Sequence, residues 1–198
     1  MIEIFLLSII QGITEFLPIS SSSHLILVAE YLEFENQSLS IDVSLHIGSF
    51  LAVIIYFFSD IRDFFKNKIV FYKIFLSSLP IMFVGFFFVE FDLISKFRNI
   101  ETIAWTTVVF GILLYISDKF KVEKSFQEDL DFKSVLVIGL MQILSLVPGV
   151  SRSGIAITAA RLLSFKRTDA AKISFLISDD EFGIVGSQII LPSTISIT

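Results

Sequence analysis

Runs free of Asp, Glu, Lys and Arg include residues 43–59, 74–89, 102–117 and 134–151. A helix that crosses the hydrocarbon layer needs about 20 largely apolar residues, with a lower limit near 17. With their flanks the first three stretches meet that length, and they predict spanning helices over about 42–59, 73–91 and 102–118. The fourth is interrupted by Pro148-Gly149, which stops a helix partway. Its apolar pieces, 134–147 and 155–165, are each too short to cross alone, so they predict two half-helices joined by PGVSRSG in a hairpin over about 134–165. The N-terminal region has the same form: residues 2–17 end at Pro18, and the apolar pattern resumes at 25–28, giving a hairpin over about 2–29. A last, atypical spanning helix is expected over about 173–191.

The basic residues orient these elements. Residues 60–73, 118–133 and 166–172 are rich in Lys and Arg, whereas 30–42 carries only acids and 92–101 has just Lys96 and Arg98. Positive charge marks the cytoplasmic side. Three single crossings are consistent with that rule only if 134–165 leaves and returns on the cytoplasmic face. The N-terminal hairpin then enters from outside, and the two tips meet near the midplane, the pattern of inverted repeats with broken helices around a central site. An internal echo supports it, since Gln11 to Ser20 and Gln142 to Ser151 share a spacing (20 − 11 = 151 − 142 = 9) with a Pro between. The expected fold is therefore all-α: one polytopic membrane domain over 1–198, with inverted repeats and two re-entrant helical hairpins.

Composition agrees. The 198 residues are 54% hydrophobic and 18% charged, and the mean hydropathy of +0.82 is too apolar for a soluble domain of this size. The absence of cysteine excludes disulfides and thiolate metal sites. No cleavable signal peptide is expected, because MIEIFLL lacks a basic start and no small-residue cleavage site follows it. No nucleic-acid partner is expected.

Polar groups sunk in this apolar sequence need a reason. Arg152 lies in the second break between Ser151 and Ser153, with Gly154 beyond. An arginine at the bilayer centre costs about 2.5 to 3.5 kcal/mol on insertion scales and usually faces a cavity and a counter-charge. Guanidinium, hydroxyls and the start of a half-helix near Ile155 together describe an anion site, most naturally phosphate. The plainer reading is an arginine reaching a headgroup from a helix end. Glu15 could be its counter-ion, a metal ligand, a base, or a carboxylate near the outer surface. His24 follows Ser20, Ser21, Ser22 and Ser23; capping explains one or two of these hydroxyls, and a hydroxyl beside an imidazole is also an elementary nucleophile and base. His46, just inside a span, reads as structural or interfacial, and Asp42 as an outer-surface residue.

With these residues in place, the chain resembles the undecaprenyl-diphosphate phosphatases of the bacitracin-resistance type. QGITEFLPISSSSHLILV is similar to that family's first signature, (E/Q)GxTEFLPxSSxGH, and PGVSRSG matches its second. IDVSLHIGSFLAVI, KIFLSSLPIMFVGFFF, IGLMQILSLVPG and AAKISFLIS add support, so the resemblance runs from Ile2 to about Ser178. It implies a phosphatase of the bacterial inner membrane, multi-pass, that removes the terminal phosphate of undecaprenyl diphosphate and so recycles the carrier lipid of cell-wall synthesis. It also implies that Glu15 acts through a divalent cation, magnesium before calcium, and that Ser21 is the candidate nucleophile with His24 its partner, although which of the two attacks stays open. Arg152, Ser151 and Ser153 would hold the diphosphate, with Ser20, Ser22, Gly154 and Gln11 completing the substrate site. The partners implied are the polyprenyl diphosphate lipid, the bilayer and a second copy in a homodimer. From the acid-only flanks of the first hairpin, the site is expected to open to the extracytoplasmic side.

The chain also departs from that pattern. Gln11 stands where many members have a second Glu, and Ser23 replaces the usual Gly. After SFLIS the family continues with apolar helices, whereas this chain reads DDEFGIVGSQIILPSTISIT, so a frameshift, assembly fault or truncation is expected there. Two other functions stay in play: a transporter or flippase of a phosphorylated polyprenyl lipid, and an inactive truncated homologue.

Overall fold

The computed structural model describes residues 2–34, 39–56, 58, 62, 66–91, 93–97 and 99–178. These form α1 (Ile2–Thr14), α2 (Ser21–Tyr31), α3 (Leu39–Tyr56), α4 (Lys68–Glu90), α5 (Leu93–Phe97), α6 (Ile100–Ser117), α7 (Phe126–Asp129), α8 (Phe132–Gln142), a 3₁₀ turn (Ile143–Leu146), α9 (Arg152–Leu162) and α10 (Arg167–Ser178). Among the described residues the architecture is all-helical, and the one isolated bridge joins Lys124 to Phe165.

Short polar side chains decide where the helices begin. Ser20, Asn67, Asn99, Asp131 and Ser151 stand at helix N-termini and accept from Ser23, Val70, Thr102, Ser134 and Gly154 N–H respectively. Each satisfies a first-turn donor that has no partner within its own helix. The same chemistry corrects the sequence boundaries. α1 stops at Thr14, not Leu17, because the residues before Pro18 leave the helical region. α2 begins inside the serine run at Ser21, well before Leu25, and α9 begins at Arg152 rather than Ile155, because Ser20 and Ser151 are the caps.

The three stretches expected to cross fall on the helices α3, α4 and α6. Among the described residues α4 and α6 are long and apolar enough to cross a membrane, and in their most apolar windows only 22% and 11% of residues are buried. Phe83, Phe86, Trp105 and Tyr115 are among the side chains they turn outward. A water-soluble chain would bury that surface, whereas hydrocarbon solvates it. The predicted end of the first crossing at 59, most of the helix expected over 173–191 and the acidic Asp179, Asp180 and Glu181 lie outside the described residues.

The core lies where α4, α8, α9 and α10 meet: Ile74, Val135, Ile138, Ala156, Ala160, Ile173 and Ile177 are buried together. Small residues set the spacing. At Gly139 an added Cβ would stand 2.2 Å from the Ser77 carbonyl oxygen, so α8 and α4 touch backbone to backbone. This packing fixes α8 and α9, and therefore the break that joins them.

Candidate active site

Both interruptions of the helical pattern come together. Ser153 Oγ donates to the Leu17 carbonyl at 3.5 Å, and a Cβ on Gly154 would lie 3.1 Å from the Pro18 carbonyl oxygen. The second break is held from below by α6. Thr106 Oγ1 donates to the Pro148 carbonyl at 2.7 Å, Thr107 Oγ1 reaches the Gly149 carbonyl at 3.4 Å, and Gly149 takes φ +94°, a backbone region that favours glycine. A crevice of about 90 Å³ lies between the breaks and α6, lined in part by Pro18, Ser20, Gly149, Ser151 and Gly154.

At the first break Gln11 of α1 and Glu15, just past the end of that helix, lie one turn apart, and Gln11 Nε2 donates to Glu15 Oε2 at 2.7 Å. α3 packs beside α1 and brings in His46. Its Nε2 lies 3.7 Å from Glu15 Oε2 and 3.5 Å from Ser21 Oγ, the first residue of α2. One carboxylate, one hydroxyl and one imidazole thus converge from the turn after α1, the start of α2 and α3.

The other expected residues fall in two groups. Ser20 is the α2 cap and also accepts from Ser23 Oγ at 2.9 Å. Ser151 caps α9 through Gly154 N–H and lies 3.1 Å, Oγ to Oγ, from Ser153. Arg152 opens α9 between them and is half-buried. His24 Nδ1 turns back to the Ser20 carbonyl at 2.7 Å, and among the described residues no hydrogen bond joins it to Ser21. Ser22 is exposed. The sequence reading missed His46 and misplaced Asp42, which is only 6% exposed rather than on an outer surface, because α3 turns this residue inward. The available signal was their i, i+4 spacing, which puts two polar side chains on one face of an otherwise apolar span.

The oxygens at the first break suit a hard divalent cation. Glu15 supplies a carboxylate, and Gln11 Oε1 is buried without a hydrogen-bond partner among the described residues. No group of three or more His, Asp or Glu gathers among the described residues. A magnesium-type ion would therefore take few protein ligands and complete its shell with substrate oxygens and water.

A larger concavity, about 390 Å³, opens at the C-terminal end of α6 around Asp118, Arg161 and Arg167. Here both arginines are engaged by the same aspartate. Arg161 gives its terminal nitrogens to the Phe165 and Asp118 carbonyls at 2.6 and 2.7 Å and pairs with the Asp118 carboxylate at 3.3 Å, while Arg167 clasps both Asp118 carboxylate oxygens. The hydrogen bond from Arg167 holds the Asp118 carboxyl below the ordinary carboxylate range. This cluster ties α6, α9 and α10 together and is structural.

Residues 4–182 match the family described as bacitracin resistance protein BacA. The chain belongs to the BacA family. It is 51% identical over 178 residues to an undecaprenyl-diphosphatase of Pelagibacter ubique, covering 89% of this chain and 70% of that protein. Undecaprenyl-diphosphatases of Jannaschia sp. and Campylobacter curvus are 39% and 42% identical, over 88% and 89% of this chain and 70% and 71% of theirs. The BacA match includes both breaks and every side chain of the convergent site.

Proposed function

We infer that this chain is an undecaprenyl-diphosphate phosphatase, which hydrolyses the lipid diphosphate to the monophosphate and inorganic phosphate and so returns carrier lipid to cell-wall synthesis. The supporting observation, beside family membership, is the convergence of Glu15, Ser21 and His46 next to the second break with Arg152. A protein that only carried the lipid would need the cation and donors but not a hydroxyl set beside an imidazole and a carboxylate.

In this reading Arg152, Ser151 and Ser153 hold the diphosphate, with Ser20, Ser22, Gly154 and Gln11 around it. Charge that builds on the phosphoryl oxygens in the transition state meets the Arg152 guanidinium and nearby hydroxyl donors. Ser21 attacks the terminal phosphorus. His24, with Nδ1–H tied to the Ser20 carbonyl, keeps Nε2 as an acceptor beside the hydroxyl run. Glu15, with Gln11 beside it, would hold a divalent cation, magnesium before calcium, which when bound neutralises phosphate charge. The two broken helices are re-entrant hairpins of an inverted repeat in a multi-pass inner-membrane protein, and the site opens to the extracytoplasmic side; the acid-only flanks of the first hairpin support that orientation.

The test is phosphate release from undecaprenyl diphosphate by the full chain in detergent with magnesium. Arg152→Ala should lower release by about 10² to 10³-fold. Movement of labelled lipid across vesicles with no phosphate released would overturn the phosphatase reading in favour of transport.

A further inference from the structure

We propose that His46 takes the proton of Ser21 during phosphoryl transfer, the part that the sequence gives to His24; this rests on the phosphatase reading above. The tautomer follows from one contact. His46 Nδ1 lies 2.8 Å from the Asp42 carbonyl, one turn back on α3. A carbonyl only accepts, so Nδ1 carries the hydrogen and Nε2 presents its lone pair. That Nε2 faces Ser21 Oγ at 3.5 Å, a length that commonly shortens when substrate closes a site. Glu15 Oε2 stands 3.7 Å from the same nitrogen, so the imidazole lies within the candidate site rather than at its margin. The imidazole is half-buried, which limits the competition from water.

The steps balance. Ser21 Oγ bonds to the terminal phosphorus as the anhydride P–O bond breaks, the lipid monophosphate leaves with the electron pair, and the hydroxyl proton passes to His46 Nε2. Water then attacks the phosphoserine phosphorus, the bond to Oγ breaks, and His46 returns its proton to Oγ as inorganic phosphate departs. His46 therefore ends the cycle in the tautomer that the Asp42 carbonyl imposes.

Two readouts on the full chain in detergent test this: phosphate release from undecaprenyl diphosphate, and the rate at which a fluorophosphonate labels Ser21, read as a mass shift on its peptide. His46→Ala should lower both by about 10²-fold or more. Added imidazole should restore part of each rate in His46→Ala but none in Ser21→Ala, a response that a misfolded variant cannot give. His46→Gln, which can accept a hydrogen bond but cannot carry the proton, should stay as low as His46→Ala. In the Ser21→Ala background the loss of His46 should cost nothing further. Labelling and release at wild-type rates in His46→Ala would overturn the proposal and leave the phosphatase reading standing. His46-dependent labelling of Ser21 by a wild-type protein that releases no phosphate would support the pair and sink the phosphatase reading.

Discussion

At the first break the chain turns through Phe16, Leu17 and Ile19, which are 58%, 45% and 36% exposed; at the second, Gly149 and Val150 are buried. Both follow a buried Gln and end on a capping Ser nine residues beyond it, so the difference comes from what surrounds them. The first satisfies its backbone mostly within itself, through Leu17 N–H to the Thr14 carbonyl at 3.3 Å and Ile19 N–H to the Leu17 carbonyl at 2.7 Å. The second uses its neighbour, because the threonines of α6 meet the carbonyls that Pro148 and Gly149 leave outside any helix. Buried backbone must find such donors, and exposed backbone need not. The division also sorts the chemistry: the carboxylate, hydroxyl and imidazole gather at the exposed break, while the guanidinium emerges from the buried one.

Substitutions at equivalent places should separate the two. The largest effect is expected for Gly149→Ala, where a Cβ would lie 2.0 Å from Thr106 Oγ1 and 2.8 Å from the Ile103 carbonyl oxygen at φ +94°. A loss of about 3 kcal/mol follows from overpacking and left-handed strain, read as thermal unfolding in detergent through Trp105 fluorescence. Pro18→Ala at the exposed break should cost less than about 1 kcal/mol, and an equal cost at both sites would break the contrast.

Thr106→Val comes next. It keeps the shape and removes the donor to the Pro148 carbonyl, so about 1 to 2 kcal/mol should be lost in the same assay. Thr107→Val should do less, because its contact is longer. Were Thr107 the more sensitive, the second break would be held differently from the way these distances imply.

Arg167→Ala, remote from both breaks, should give the smallest shift, because its pair with Asp118 is largely exposed. Its sign is fixed by pH. The folded Asp118 carboxyl titrates below its ordinary 3.8, so the pair's contribution is present above that value and fades as pH falls through the lower folded one. The difference between wild type and Arg167→Ala should therefore persist at neutral pH and close in strong acid.

Much of this was readable in one dimension, because it is local. Charge-free runs located α3, α4 and α6, Pro18 and Pro148 located the breaks, and the hydroxyls after them are the caps. Even the contact of Ser153 with Leu17 was foreshadowed by the expectation that the tips meet. The geometry of the candidate site was less readable, because it is made by packing between helices. Ser21 and His24 are three residues apart and suggest a pair; the helix turns His24 Nδ1 onto its own backbone, and only the packing of α3 on α1 sets a second imidazole, His46, beside Ser21. Asp42 was misplaced for the same reason: its position near the start of a span fits either surface or interior, and only the neighbouring helices decide.

The outward aromatic rings of α4 and α6, among them Phe83, Phe86, Trp105 and Tyr115, bear on how this protein meets its substrate. Dissolved in hydrocarbon by those rings, it shares a phase with a lipid whose long tail does not leave that phase. Encounter is then a two-dimensional search, and the concentration that governs turnover is the mole fraction of substrate within the sheet of lipid, not its amount per litre of cell or buffer.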